Sequence, residues 1–227
     1  MNSQRMSGIK ACVFDAYGTL FDVSSVARGC KEALGDRWEQ FSDLWRSKQL
    51  QYTWLRGLSG HHADFWQVTG DALDFAMATL HVEDRQLRDH LLERYLSLEA
   101  FPEVPETLRR LRAGGLKLAV LSNGTPRMLE SAVRNAGIAE LLDAVYSVEE
   151  VGVYKPHPSV YRLPSDRLGL MAGEICFLSS NSWDAYSAKS FGLRVLWCNR
   201  FHQAEERLPA PPDGSIPDLS WLPGIVL

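Results

Sequence analysis

Four short apolar runs in this 227-residue chain stop at residues able to do chemistry. Ile9 to Phe14 ends at Asp15, with Thr19 just beyond. Leu116 to Leu121 ends at Ser122 and Asn123, and Ile175 to Leu178 ends at Ser179, with Asn181 and Asp184 following. Val195 to Cys198 ends at Asn199. Carboxylates such as Asp15 and Asp184 suit nucleophilic attack or general base work. Ser122 and Asn123 precede Thr125-Pro126, an N-cap residue and a proline at the first helical position. Free N–H groups at such a helix start form an anion site. Taken singly the signals are weak, because a lone carboxylate after a strand also reads as a turn former.

Apolar runs of this length, bounded by turn residues, read as strands buried on both faces. Amphipathic stretches between them, such as Pro105 to Ala113 and Pro126 to Ala136, read as helices. The alternation predicts an α/β fold, a Rossmann-like parallel sheet with helices on both sides. Ligands of such sheets sit at the carboxyl ends of the strands, where these polar residues cluster. Val23 to Leu98 breaks the pattern with many aromatics and no clear strand. Phe41, Leu44, Trp45, Tyr52 and Leu55 recur there at helical spacing as one apolar stripe. A helical cap over residues 23–98 is therefore expected, inserted into a core of 1–22 and 99–227, with the return at Phe101 to Pro105. The proline-rich tail from Leu208 is expected to be irregular with a short closing element. Pro164, inside the helix expected after Lys155, should kink or end it.

Composition narrows the function. With 24 Lys+Arg against 28 Asp+Glu the net charge is −4, without the basic stripe of a nucleic-acid binder. No apolar stretch approaches the ~20 residues of a membrane span. Met1 to Arg5 is polar with no apolar run behind it, so no leader is expected. Cys12, Cys30, Cys176 and Cys198 form no CxxC pair and read as buried free thiols. That points to a reducing, cytoplasmic location. His61-His62 reads as a solvated loop, since adjacent helical residues diverge by about 100° and seldom share a metal.

The run Phe14-Asp15-Ala16-Tyr17-Gly18-Thr19-Leu20-Phe21-Asp22 resembles the first motif of the haloacid-dehalogenase superfamily, which places a nucleophilic Asp at Asp15. Most of that superfamily transfers phosphoryl groups, using a second Asp two residues on and further carboxylates for magnesium. Here Tyr17 takes the second position and the last motif reads Ser179-Ser180-Asn181-Ser182-Trp183-Asp184. Those departures resemble the (S)-2-haloacid dehalogenases. So do Leu44-Trp45-Arg46, Lys48-Gln49-Leu50, Tyr52-Thr53-Trp54-Leu55-Arg56, Leu121-Ser122-Asn123-Gly124 and Val153-Tyr154-Lys155-Pro156.

The resemblance implies metal-independent displacement of halide from short (S)-2-haloalkanoic acids, with no cofactor and a homodimeric enzyme. Asp15 would form an ester with the substrate, and Arg46 would hold the departing halide with help from Asn123. Ser122 and the backbone N–H groups after Asp15, at Ala16 and Tyr17, would bind the substrate carboxylate. Lys155 would balance charge beside Asp15, and Asp184 would activate water. Thr19, Ser179 and Asn181 would orient this cluster, with Tyr161 in support. Tyr17, Leu50, Phe65 and Trp183 would wall the pocket. Two further readings stand beside this one: a magnesium-dependent phosphatase of the same superfamily, and a catalytically silent interaction module.

Overall fold

The first apolar run forms strand β1 (Ala11–Phe14), and every residue of it is buried. In this computed structural model, which describes residues 5–227, Met1 to Gln4 of the polar N-terminal stretch lie outside the described part. After β1 the chain forms five helices: α1 (Ser24–Arg28), α2 (Lys31–Leu34), α3 (Trp38–Ser59), α4 (Phe65–Thr79) and α5 (Arg85–Tyr95). It then resumes the alternation with α6 (Val104–Ala113), β2 (Lys117–Ser122), α7 (Pro126–Asn135) and β3 (Ala144–Ser147). There follow α8 (Pro158–Leu168), β4 (Ile175–Ser179), α9 (Ser182–Phe191), β5 (Arg194–Cys198), β6 (Gly214–Ile216) and α10 (Pro223–Val226).

The strands form one parallel sheet in the order β3-β2-β1-β4-β5-β6. Strand order reverses between β1 and β4, so their carboxyl ends open a crevice there. The same register sets Phe14, the last residue of β1, beside Val120 and Leu178. Two strands escape the apolar-run signal. β3 is an edge strand of four residues, Ala-Val-Tyr-Ser, and β6 is Gly-Ser-Ile. Only pairing with β2 and β5 makes them strands. With α10 behind it, β6 is the closing element of the tail.

The five-helix segment leaves and rejoins the sheet at one narrow neck. Asp22 donates its N–H to the Glu99 carbonyl at 2.9 Å, and Phe101 donates to Leu20 at 3.0 Å. Two chain crossings side by side fix where the helices hang: over the carboxyl ends of β1 and β4. α3 packs along α4, with the Trp45 indole N–H on the Thr69 carbonyl at 2.9 Å.

Two expectations change, and that for the cysteines holds. The buried face of α3 is the i, i+4 row Phe41, Trp45, Gln49 and Thr53, not a stripe continuing to Leu55. Leu55 is 55% exposed, because the row drifts round the helix and carries polar residues in its second half. Pro164 does not end α8, which runs on to Leu168. Val160, Tyr161, Leu163 and Pro164 form its buried face, and that packing offsets the lost N–H bond. All four cysteines are buried and free.

Leu118 on β2 is wholly buried. Leu118→Ala is expected to lower unfolding stability by about 2–5 kcal/mol, measured by urea denaturation.

Candidate active site

β1 delivers Asp15 to the crevice, its N–H continuing the ladder onto the Leu178 carbonyl at 2.8 Å. The chain then turns sharply, the Ala16 carbonyl accepting from the N–H groups of Thr19, Leu20 and Phe21. Gly18 takes φ +88°, a conformation that suits glycine. The turn brings the Thr19 hydroxyl back to donate to Asp15 Oδ2 at 3.0 Å, while Thr19 Oγ1 itself accepts from the Ser180 N–H at 2.8 Å. The loops after β1 and β4 are thereby tied together.

Asn181 stands at the N-cap of α9, but its side chain does not cap the helix. Its amide donates instead to Asp15 Oδ2 at 2.8 Å and to the Tyr17 carbonyl at 3.0 Å. Ser179 Oγ adds a longer contact to Oδ2 at 3.5 Å. Oδ2 is thus surrounded by donors. Oδ1 meets one, the Lys155 ammonium at 3.0 Å.

Lys155 also reaches Asp184 Oδ2 at 2.8 Å, so one ammonium bridges two carboxylates. Tyr161 donates to Asp184 Oδ1 at 2.7 Å. Lys155 is 1% exposed and Asp184 wholly buried. Burial works against the Lys155 charge, but Asp15 and Asp184 outweigh it and hold the ammonium above the usual lysine range. Burial pushes the Asp184 carboxyl upward; Lys155 opposes that shift and Asp15 adds to it. Asn123 positions the lysine by accepting its backbone N–H at 3.0 Å.

Arg46 comes from α3. Nη2 reaches Asn181 Oδ1 at 3.3 Å and Nη1 donates to Gln49 Oε1 at 2.7 Å. Arg46, Asp15, Lys155, Ser122 and Asn123 face one small cavity, walled by Tyr17, Leu50, Phe65 and Trp183. Its mouth widens past Trp38, Phe201 and Glu206. Two expected contact residues are not on its wall. Tyr161 stands behind Asp184, because α8 packs beneath the cluster and its hydroxyl is spent on that carboxylate. Ala16 is fully buried under the turn and is not among the cavity-lining residues. His62 Nε2 meets Glu149 Oε2 at 3.0 Å across the gap between helices and sheet. Among the described residues no group of three candidate metal ligands is present.

Sequence reasoning attached no role to Gln49, Tyr95 or Trp54, although Gln49 and Trp54 lie within the Lys48-Gln49-Leu50 and Tyr52-to-Arg56 runs. Trp54 packs edge-on against Trp183, 5.4 Å between centroids. Gln49 gave one readable hint, being polar on the row set by Phe41 and Trp45.

The haloacid dehalogenase-like hydrolase family model matches residues 9–192, from β1 to the end of α9. The chain belongs to that family. Its similarity to (S)-2-haloacid dehalogenases extends nearly end to end. The enzyme of Pseudomonas sp. (strain YL) is 45% identical over 215 residues, 94% of this chain and 93% of its own. (S)-2-haloacid dehalogenase 1 of Pseudomonas sp. (strain CBS-3) is 43% identical over 223 residues, 98% of each. The L-2-haloacid dehalogenase of Xanthobacter autotrophicus, solved with chloropropionic acid covalently bound, superposes with a TM-score of 0.89. It is 40% identical, with 95% of this chain and 97% of that one covered. Like these hydrolases in overall fold, this member keeps a carboxylate directly after its first strand.

Removing the shared cation gives a clear stability test. Lys155→Met leaves Asp15 and Asp184 facing each other uncompensated, with an expected loss of about 3–5 kcal/mol near neutral pH. In the variant Asp184 keeps its proton to still higher pH. The native state then binds more protons than the unfolded chain, so the loss should shrink as pH falls through that window. Urea denaturation at pH 7 and pH 5 checks both parts.

Proposed function

We propose that this protein hydrolyses short (S)-2-haloalkanoic acids to (R)-2-hydroxy acids and halide through an ester on Asp15. The observation that carries the reading is the single small cavity onto which Asp15, Arg46 and an apolar wall all face. A covalently bound chloropropionate in the Xanthobacter relative supports the ester route.

The first step must bring two carboxylates together. At ~4 Å their repulsion is about 4 kcal/mol for an effective dielectric near 20. Lys155 and Arg46 supply two positive charges against Asp15 and Asp184, so the substrate meets a locally neutral site. Ser122 and the backbone N–H groups of Ala16 and Tyr17 receive the substrate carboxylate. Asp15 Oδ1, the oxygen with only Lys155 on it, attacks C2 from the side opposite the halogen. The carbon–halogen bond breaks with its electron pair on the halide, which Arg46 stabilises. Asn181 holds the guanidinium in place, and Asn123, whose carbonyl oxygen accepts the Lys155 backbone N–H, faces the same cavity and helps Arg46 hold the halide.

In the second step Asp184 takes a proton from water, which attacks the Asp15 carboxyl carbon. The ester C–O bond breaks, and the leaving alkoxide recovers the proton. Thr19, Ser179 and Asn181 hold Asp15 throughout, and Tyr161 and Lys155 orient Asp184. No metal or cofactor enters either step. Homodimerisation and a cytoplasmic location belong to the same reading, the latter supported by four buried free thiols.

Halide release from 2-chloropropionate enantiomers, with a chelator present, tests the reaction. Release from the (S) form alone is expected. A single turnover in H₂¹⁸O with enzyme in excess tests the route. Label should enter the Asp15 carboxylate while the product hydroxyl carries ordinary oxygen, and Asp15→Asn should be inactive. A labelled hydroxyl in that first turnover would make Asp15 a general base instead.

The raised Asp184 pKa gives a pH test. A base loses function on protonation, so ester hydrolysis should fall on the acid side with a midpoint above the usual aspartate range. Asp184→Asn should stop at the ester, seen as an adduct in intact-protein mass spectrometry.

A further inference from the structure

Gln49 sits in the middle of the buried face of α3, where an amide must find partners within the protein. Its Nε2 donates to Thr69 Oγ1 at 2.7 Å and meets the Tyr95 hydroxyl at 3.1 Å. The Thr69 hydroxyl proton is itself given to the Phe65 carbonyl at 2.6 Å. Thr69 can therefore only accept from Gln49, and Gln49 cannot turn its amide round. Its Oε1 stays aimed at Arg46 Nη1, 2.7 Å away. From Arg46 the chain of contacts runs on through Asn181 to Asp15.

We propose that Gln49 is a positioning residue for halide departure: it fixes the Arg46 guanidinium over the cavity while leaving its charge uncancelled. The inference rests on the dehalogenase reading above. An arginine side chain has several rotatable bonds, and its stabilising effect depends on pointing at the leaving atom before reaction. A carboxylate at this place would orient Arg46 equally well but would pair with it and weaken its field on the halide. The neutral amide does the first without the second. Because Arg46 acts on halide departure, Gln49 serves ester formation and not ester hydrolysis.

The test uses Gln49→Met and Gln49→Glu with (S)-2-chloropropionate and (S)-2-bromopropionate in single turnovers, with chloride inhibition measured alongside. Gln49→Met removes the acceptor. Gln49→Glu keeps its shape and guards against a folding failure in the first variant. Each should slow ester formation by about tenfold or more and weaken chloride inhibition, with ester hydrolysis unchanged. Chloride, the poorer leaving group, should suffer more than bromide. A merely structural role would slow both substrates and both steps alike, and that pattern overturns the proposal. So does a folded variant with wild-type chloride inhibition and wild-type ester formation. Wild-type enzyme that releases no halide from either substrate removes the dehalogenase reading and this inference with it. An active wild type with unaffected variants removes the Gln49 role alone.

Discussion

The Lys155 ammonium between Asp15 and Asp184 is the contact on which the site depends. Two carboxylates at the carboxyl edge of one sheet, with little access to water, would repel each other and drive one to hold a proton. The lysine places one positive charge within 3.0 Å of both. Its own burial is offset by two carboxyl partners within hydrogen-bond distance. Each element near the site serves that arrangement: β1 and α9 bring the carboxylates, and the loop before α8 brings the lysine. Asn123 holds the lysine backbone, and Tyr161 closes the open side of Asp184.

The second cation arrives differently. Arg46 lies on a helix that contributes nothing to the sheet, and it reaches Asp15 only through Asn181. The neck formed by Asp22 with Glu99 and by Leu20 with Phe101 limits where α3 can lie. The partition is chemically sensible. Charges that are close neighbours share the sheet edge, whereas Arg46, the second cation on the cavity, comes from the overlying helices, beside the apolar wall. Leu50, Phe65 and Arg46 of that layer face Tyr17, Ser122 and Trp183 of the sheet layer across the cavity.

Much of this was legible from residue types. Apolar runs ending in polar residues located β1, β2, β4 and β5, because a strand buried on both faces must be continuously apolar. The edge strands β3 and β6 were not legible, since a short edge strand is defined by its neighbour. Asp15, Lys155 and Asp184 stood out through their motifs, while Gln49, although within the Lys48-Gln49-Leu50 run, had no readable role of its own. The local rule against proline inside a helix misled at Pro164, where the packing of α8 prevailed over a missing hydrogen bond. The helical stripe misled at Leu55 for a related reason: spacing shows which residues share a face, but not where along the helix its partner ends.

The sequence by itself determined the chemistry available: a carboxylate at a strand end, Tyr17 where a second acid would serve phosphoryl transfer, and cations in separate segments. Residue types carry that information because charge, nucleophilicity and hydrogen-bonding capacity belong to the side chain. Tertiary structure alone decided which groups meet and how. It gave Asp15 Oδ2 its three side-chain donors and Oδ1 only one, turned Asn181 from capping a helix to holding a carboxylate, and set Tyr161 behind Asp184 rather than on the cavity wall. These outcomes depend on how segments meet at hydrogen-bond distance, several of them more than a hundred residues apart, and no local pattern of the chain encodes such meetings.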